Sequence, residues 1–210
     1  MFRLHSRTGH RRHLLLGAAT VATLLAVAAS AQAAPFVYVT NELSGTVSQF
    51  NARAGELLAP LVPATVAAPT RPLGVAVSPD GQSVYVANHD STGVSQYDVG
   101  AGGRLSPKSP AKVAADGATD EVAVSPDGQS VYVTNILNGS VSQYDVGAGG
   151  QLSPKSPAEL ETGIQPYDVA VSPAAPVPTS KSQCKHGGWK QFGFKSQGRC
   201  IAFVHRGPRH

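Results

Sequence analysis

Cysteine is absent from the first 183 residues, methionine occurs only at position 1, and the single tryptophan is Trp189. Within residues 34–173 the only histidine is His89. That stretch is long enough for one core of ordinary size. It carries no thiol and no histidine cluster, and no catalytic constellation stands out in it. Acidic residues are missing from both ends of the chain, with none in residues 1–33 and none in 174–210. Membrane-length apolar runs are missing as well. The run from Leu14 to Ala29 holds 16 small, alanine-rich residues, short of the roughly 20 that span a bilayer.

The surroundings of that run read as a targeting segment. Arg3, Arg7, Arg11 and Arg12 form a basic region ahead of it, and Ala31-Gln32-Ala33 fits a small-residue cleavage site, leaving Ala34 as the new N-terminus. Arg11-Arg12 is a weak match to a twin-arginine export signal, since His10 stands where Ser or Thr is usual. Either route ends outside the cytoplasm, so residues 1–33 read as a signal peptide and the product as secreted or associated with the cell envelope. After cleavage no membrane segment is left. Removal also changes the charge balance. Residues 34–173 hold six basic and 13 acidic side chains, whereas residues 174–210 hold seven basic and no acidic ones. The pI of the whole chain is therefore no argument for a nucleic-acid partner; the pattern is an acidic body with a basic tail.

What is abundant is repetition. Val37-Tyr38-Val39-Thr40-Asn41 returns as Val84-Tyr85-Val86-Ala87-Asn88 and as Val131-Tyr132-Val133-Thr134-Asn135, each 47 residues after the last. Between residues 84–126 and 131–173, 26 of 43 positions are identical without a gap. A fixed period of this size marks stacked supersecondary units. Each unit reads as four short strands. A Val-Ala-Val segment leads through Ser78-Pro79-Asp80-Gly81 or Ser125-Pro126-Asp127-Gly128, a turn with Pro second and Gly fourth, to the Val-Tyr-Val strand. Val-Ser-Gln-Phe/Tyr is the third strand. The fourth, Leu105-Ser106-Pro107-Lys108-Ser109-Pro110, belongs on an edge because proline cannot donate to a ladder. A four-stranded meander of this length is the size of a propeller blade.

These residues resemble the YVTN-repeat β-propeller family, which overlaps the lactonase-like seven-bladed propellers. The resemblance covers residues 36–173 and rests on four elements recurring in order. It implies an all-β fold, a partial β-propeller of about three four-stranded antiparallel blades. The repeats begin at the second strand of a blade and close, at Pro166 to Pro173, with a first strand, and the second strands should bury Val37, Val39, Val84, Val86, Val131 and Val133. Three blades would each have to turn about 120°, sharper than in the smallest ordinary propeller. That leaves a truncated propeller with open edges or a head-to-tail homo-oligomer.

Loops at one end of the blades vary between repeats and collect the acids, which makes that end the candidate for ligand binding. The residues singled out are Asn41, Asn88, His89, Asp90, Asn135, Asp116, Asp120, Glu121 and Asp168. Drift of duplicated surface loops accounts for the same pattern. No cofactor, metal or catalytic residue is implied: the acids lack the spacing of a calcium loop. The reading is a binding or structural protein, with a lactonase-like hydrolase of the 6-phosphogluconolactonase type, active only in a completed ring, as the alternative.

Residues 174–183 form a Pro-rich linker, and residues 184–210 a small basic module resembling the Cys-Lys-x-Gly-Gly-Trp modules of bacterial secreted proteins. A Cys184–Cys200 disulfide suits an exported chain and would be worth about 3 kcal/mol for a loop of this length. The rival is zinc held by Cys184, His186, Cys200 and His205. The glycines at 187, 188, 193 and 198 should supply the turns, with Trp189, Phe192, Phe194 and Phe203 packed around the bridge. An acidic polymer of the cell surface is the partner such a tail would suit. N-terminal sequencing of the exported protein is expected to begin at Ala34; a chain still starting at Met1 would remove the signal-peptide reading.

Overall fold

A computed structural model describes residues 35–206 except Ala54, Thr70 and Ala175; the expected signal peptide and its cleavage point at Ala34 lie outside the described residues. Eleven strands form three antiparallel sheets in simple meander order. The first blade contains β1 (Phe36–Asn41), β2 (Thr46–Asn51) and β3 (Ala59–Ala67). In the second are β4 (Pro72–Val77), β5 (Ser83–Asn88), β6 (Gly93–Val99) and β7 (Leu105–Val113). The third is built from β8 (Thr119–Val124), β9 (Ser130–Asn135), β10 (Ser140–Val146) and β11 (Leu152–Glu161). The proline-bearing fourth strands lie on the sheet edges, as their missing N–H groups require.

The Ser-Pro-Asp-Gly turns form as their residues dictate. Gly81 and Gly128 take φ of 71° and 72°, which a side chain would disfavour. Asp80 accepts from the Ser78 hydroxyl and from the Gln82 amide, and Asp127 does the same with Ser125 and Gln129. These bonds hold both carboxyls below the usual range, the serine hydroxyl first.

The core lies in two layers between blades. One gathers Tyr38, Val47, Val84, Val86, Tyr97 and Leu105; the other gathers Tyr85, Val94, Val131, Val133, Tyr144 and Leu152 among its members. Alternation within the second strand explains this arrangement, since Tyr38 and Tyr85 face the following blade while the flanking valines face the preceding one. Each third strand also bulges at its glutamine, where the ladder register shifts. Gln49 donates through Nε2 to the Pro63 carbonyl of its own blade and accepts at Oε1 from the Leu105 amide of the next, at 3.2 and 2.6 Å. Gln96 repeats this with Pro110 and Leu152, at 2.8 and 3.0 Å. Tyrosines add further links. Tyr38 and Tyr85 donate forward to the Gly103 and Gly150 carbonyls, each at 2.7 Å. Tyr97 and Tyr144 donate back to Ala67 and Ala114. Burial pushes the Tyr144 hydroxyl up to about 12.

The first blade has three strands among the described residues, nothing described preceding β1, as repeats that begin at a second strand require. Two expectations need correction. Val37 and Val39 are not buried, Val39 being 43% exposed, whereas Val84, Val86, Val131 and Val133 are fully buried. These valines face a preceding blade, and the first blade has none among the described residues. Residues 166–173 carry no strand, since none of the described strands pairs with them.

The tail is closed by a Cys184–Cys200 disulfide with sulfurs 2.05 Å apart, which leaves neither thiol for zinc. A helix, α1 (Gln197–Arg206), was not foreseen; it places Gly198 in its first turn rather than in a loop. Gly187 and Gly193 do make turns, at φ of 84° and 71°. The Phe194 and Phe203 rings pack at 5.3 Å, and Lys190 lies 5.6 Å above Trp189.

The glutamine links give a stability test. Q96A orphans a buried amide and a carbonyl together and is expected to cost about 2–4 kcal/mol in urea unfolding, against under about 0.5 kcal/mol for Q129A on the exposed turn. Equal costs would show that the bulge glutamine is not what couples the blades.

Candidate functional site

The variable loops come together at one end of the blades, where charged groups from different blades meet. Arg71, on the connection from β3 to β4 at φ 54°, reaches Glu42 Oε1 with both Nε and Nη2, at 2.9 and 2.7 Å. Its Nη1 lies 3.2 Å from Asp90 Oδ1. One guanidinium thus joins the second-to-third-strand loops of two blades. At the next joint His89 Nδ1 meets Asp120 Oδ1 at 2.8 Å, with both side chains largely buried.

Gly74, Glu121 and Asp168 occupy one position in successive repeats, on the innermost strand or, for Asp168, its unpaired counterpart. A Cβ on Gly74 would come within 2.7 Å of the Glu121 Cα and 2.8 Å of its Oε1, so β4 and β8 can approach this closely at residue 74 only because it has no side chain. Glu121 accepts from the Val122 amide, yet its carboxyl is raised, chiefly by burial and then by the negative charges of Asp168 and Asp120.

Of the residues singled out from sequence, His89, Asp120, Glu121 and Asp168 are brought together, and Asp90 joins the Arg71 cluster. Asp116 is exposed and apart from these two clusters; its amide donates to Glu159 Oε1, which also lies 3.4 Å from the Asn135 amide and so brings Asp116 and Asn135 together. The three asparagines serve their own hairpins. Asn88 is buried and donates to Val86, Gly93 and Ser95. Asn41 donates to Thr46 and Ser48, and the Asn135 amide lies 2.9 Å from the Ser140 and Ser142 hydroxyls. Sequence reasoning passed over Arg71. Its signal was departure from the repeat, since the matching positions are Ala118 and Gln165. Among the described residues no three His, Cys, Asp or Glu side chains converge to hold a metal ion.

A larger cleft, about 780 Å³, lies at the opposite end between the second and third blades, lined in part by Asp80, Tyr85, Asp98 and Asp127. Its neighbouring cation, Lys108, is buried and already engaged by Asp98 and by the Gly149 carbonyl at 2.6 Å. We place the candidate site at the variable end despite the cleft's size, because the cleft is walled by turns that are constant between repeats.

The chain matches the family model described as lactonase, 7-bladed beta-propeller, over residues 12–117. It belongs to that family. Among solved structures, a candidate 6-phosphogluconolactonase of Bacteroides fragilis is 25% identical with a TM-score of 0.53, the match covering 62% of this chain and 37% of that one. A periplasmic gluconolactonase of Pseudomonas aeruginosa is 28% identical at TM-score 0.53, covering 65% of this chain and 40% of that one. A Lactobacillus plantarum protein, 18% identical at TM-score 0.55, covers 62% and 39% and shares the fold. No curated protein matches the chain. This lactonase-family chain therefore spans about two-fifths of the length of these structures, a partial propeller.

The raised carboxyl of Glu121 has a signed consequence. Folding raises its pKa, so its contribution to stability is fully present below the ordinary glutamate value and is lost as pH rises through the folded value. E121Q is expected to raise the melting temperature at about pH 8 and to leave it unchanged at about pH 4. A variant less stable at both would show that the carboxylate is held favourably.

Proposed function

We propose that this protein is an exported propeller-type binding or structural protein whose basic tail holds an anionic polymer of the cell surface. The observation that carries the reading is the commitment of charge at the variable end. Arg71, Glu42 and Asp90 neutralise one another across one blade joint, and His89 is turned onto Asp120 at the next. Such pairs fasten blades together and leave few charged groups free to act on a substrate.

The tail is arranged differently. Lys185, Lys190, Lys195 and Arg199 are all exposed, and among the described residues none of them forms an ion pair with a carboxylate. The disulfide and the Phe194–Phe203 pair supply a rigid base for these cations. Exposed cations on a fixed surface attract a polyanion over about a Debye length, and the attraction is screened by salt. The signal-like segment at residues 1–33 supports an extracytoplasmic setting for such a partner.

Family membership favours a second reading, hydrolysis of a sugar lactone, as in the names of the Bacteroides and Pseudomonas relatives. In that case the variable end would surround substrate only when further blades complete a ring.

Two measurements separate the readings. Binding to poly-L-glutamate and to teichoic acid is expected at low ionic strength, weakening about tenfold in K185Q/K190Q/K195Q and falling with added salt. Binding that ignores both would remove the tail from the account. Incubation with 6-phosphogluconolactone is expected to proceed at the spontaneous rate; turnover above that rate would put the hydrolase first.

A further inference from the structure

We infer that two copies of this chain join head to tail, each lending the other a first strand, which the first blade lacks among the described residues, to close a six-bladed ring. Blade joints are built twice among the described residues, and the outer faces of the first and third blades have no joint there.

On the side facing the next blade, Tyr38, Val47 and Gln49 are buried, and so are Tyr85, Val94 and Gln96. The same positions in the third blade, Tyr132, Val141 and Gln143, are only half-buried. Gln143 still donates to Pro157, but among the described residues its Oε1 has no counterpart to the Leu105 and Leu152 amides. Likewise the Tyr132 hydroxyl finds no acceptor there in place of Gly103 or Gly150.

The side facing the preceding blade shows the complementary loss. Leu105 and Leu152 are each 7% exposed, whereas Leu58, one repeat earlier, is 50% exposed. The first blade thus offers an uncovered leucine and valine, and the third offers an unmatched tyrosine and glutamine. Each face is what the other's counterpart inside the chain is packed against.

The strand itself is also present. Residues 166–171, Pro-Tyr-Asp-Val-Ala-Val, fall two repeats after β4, Pro-Leu-Gly-Val-Ala-Val. Thr134 Oγ1 donates to the Tyr167 carbonyl as Thr40 Oγ1 does to Leu73, at 3.3 and 2.6 Å. The segment therefore sits where a fourth blade would begin, with no described strand paired to it. At the other end, among the described residues, β1 pairs only with β2. Within the second blade Val75 lies opposite Val86, and Val77 opposite Val84. Carried over by the repeat, this register sets Val169 opposite Val39 and Val171 opposite Val37 of the partner copy.

Closure within one chain would demand about 120° per blade, whereas two copies need about 60°, inside the range of four- to eight-bladed rings. One position departs from the pattern. A Cβ on Gly103 or Gly150 would strike Phe36 or Ser83 of the preceding blade, and the matching residue of the first blade is Glu56. The joint between copies is accordingly looser than the joints within one.

Sedimentation equilibrium of the full exported chain at about 50 µM is expected to give twice the single-chain mass, since assembly depends on concentration. L58E and V39K change residues exposed in the single chain. Each is expected to halve that mass while leaving the β-type circular dichroism intact. E56G is expected to tighten the pair. Mixed V39C and V169C chains are expected to cross-link to each other on oxidation. A single-chain mass for the unaltered protein, an assembly of any other number of copies, a pair indifferent to both L58E and V39K, a pair weakened by E56G, or a V39C/V169C chain that closes on itself would each overturn the inference.

Discussion

A buried amide must find partners for both its ends, and the bulge glutamines of the first and second blades, Gln49 and Gln96, find them on two different blades. The bulge opens the ladder, the carboxamide nitrogen closes that opening onto its own fourth strand, and the oxygen is left pointing at the neighbouring blade. Gln49 and Gln96 therefore make the inside of one sheet and the approach of the next a single requirement. The tyrosines beside them follow the same logic, each apolar in body and satisfied at its tip by a neighbour's carbonyl. Because every such link joins adjacent blades only, the repeats behave as a nearest-neighbour stack.

Charge at the variable end has to be understood on top of that stack. Blades held by apolar faces can still rock about their joints, and the ion pairs at Arg71 and His89 bridge those joints where the loops are free to differ. Half-exposed pairs such as Arg71 with Glu42 contribute little stability each. Their geometric effect is larger, since they fix the spacing of loops from different blades. The innermost acids act in the opposite sense: Glu121 and Asp168 repel at the one repeat position where the first member is glycine.

Much of this was legible in the sequence because repetition reveals register. Strand order, the turn at Ser-Pro-Asp-Gly and the edge position of the proline strands follow from local chemistry that every copy states again. Burial at Val37 and Val39 could not be read the same way, because their sequence matches the buried valines while their neighbourhood does not. The helix at Gln197–Arg206 was hidden by Gly198 and by the pull of the glycines toward turns. For the site, the acids were found but their partners were not. Arg71 and Glu42 lie 29 residues apart and meet only through the stacking of blades. The asparagines, recurring beside every second strand, carried the look of a site and proved to be hairpin fasteners, since a repeated residue serves the repeat first.

Gly74 carries a consequence for curvature. Consecutive sheets diverge outward from the ring axis, and the angle between them follows from how closely their inner strands approach relative to their outer ones. By offering no side chain to Asp120 and Glu121, Gly74 allows the inner strands of the second and third blades to meet backbone to backbone. Any larger residue there would wedge the inner edge open, flatten the arc and raise the number of blades needed to come full circle. A single missing methyl group thus acts as a setting for the curvature between these two blades.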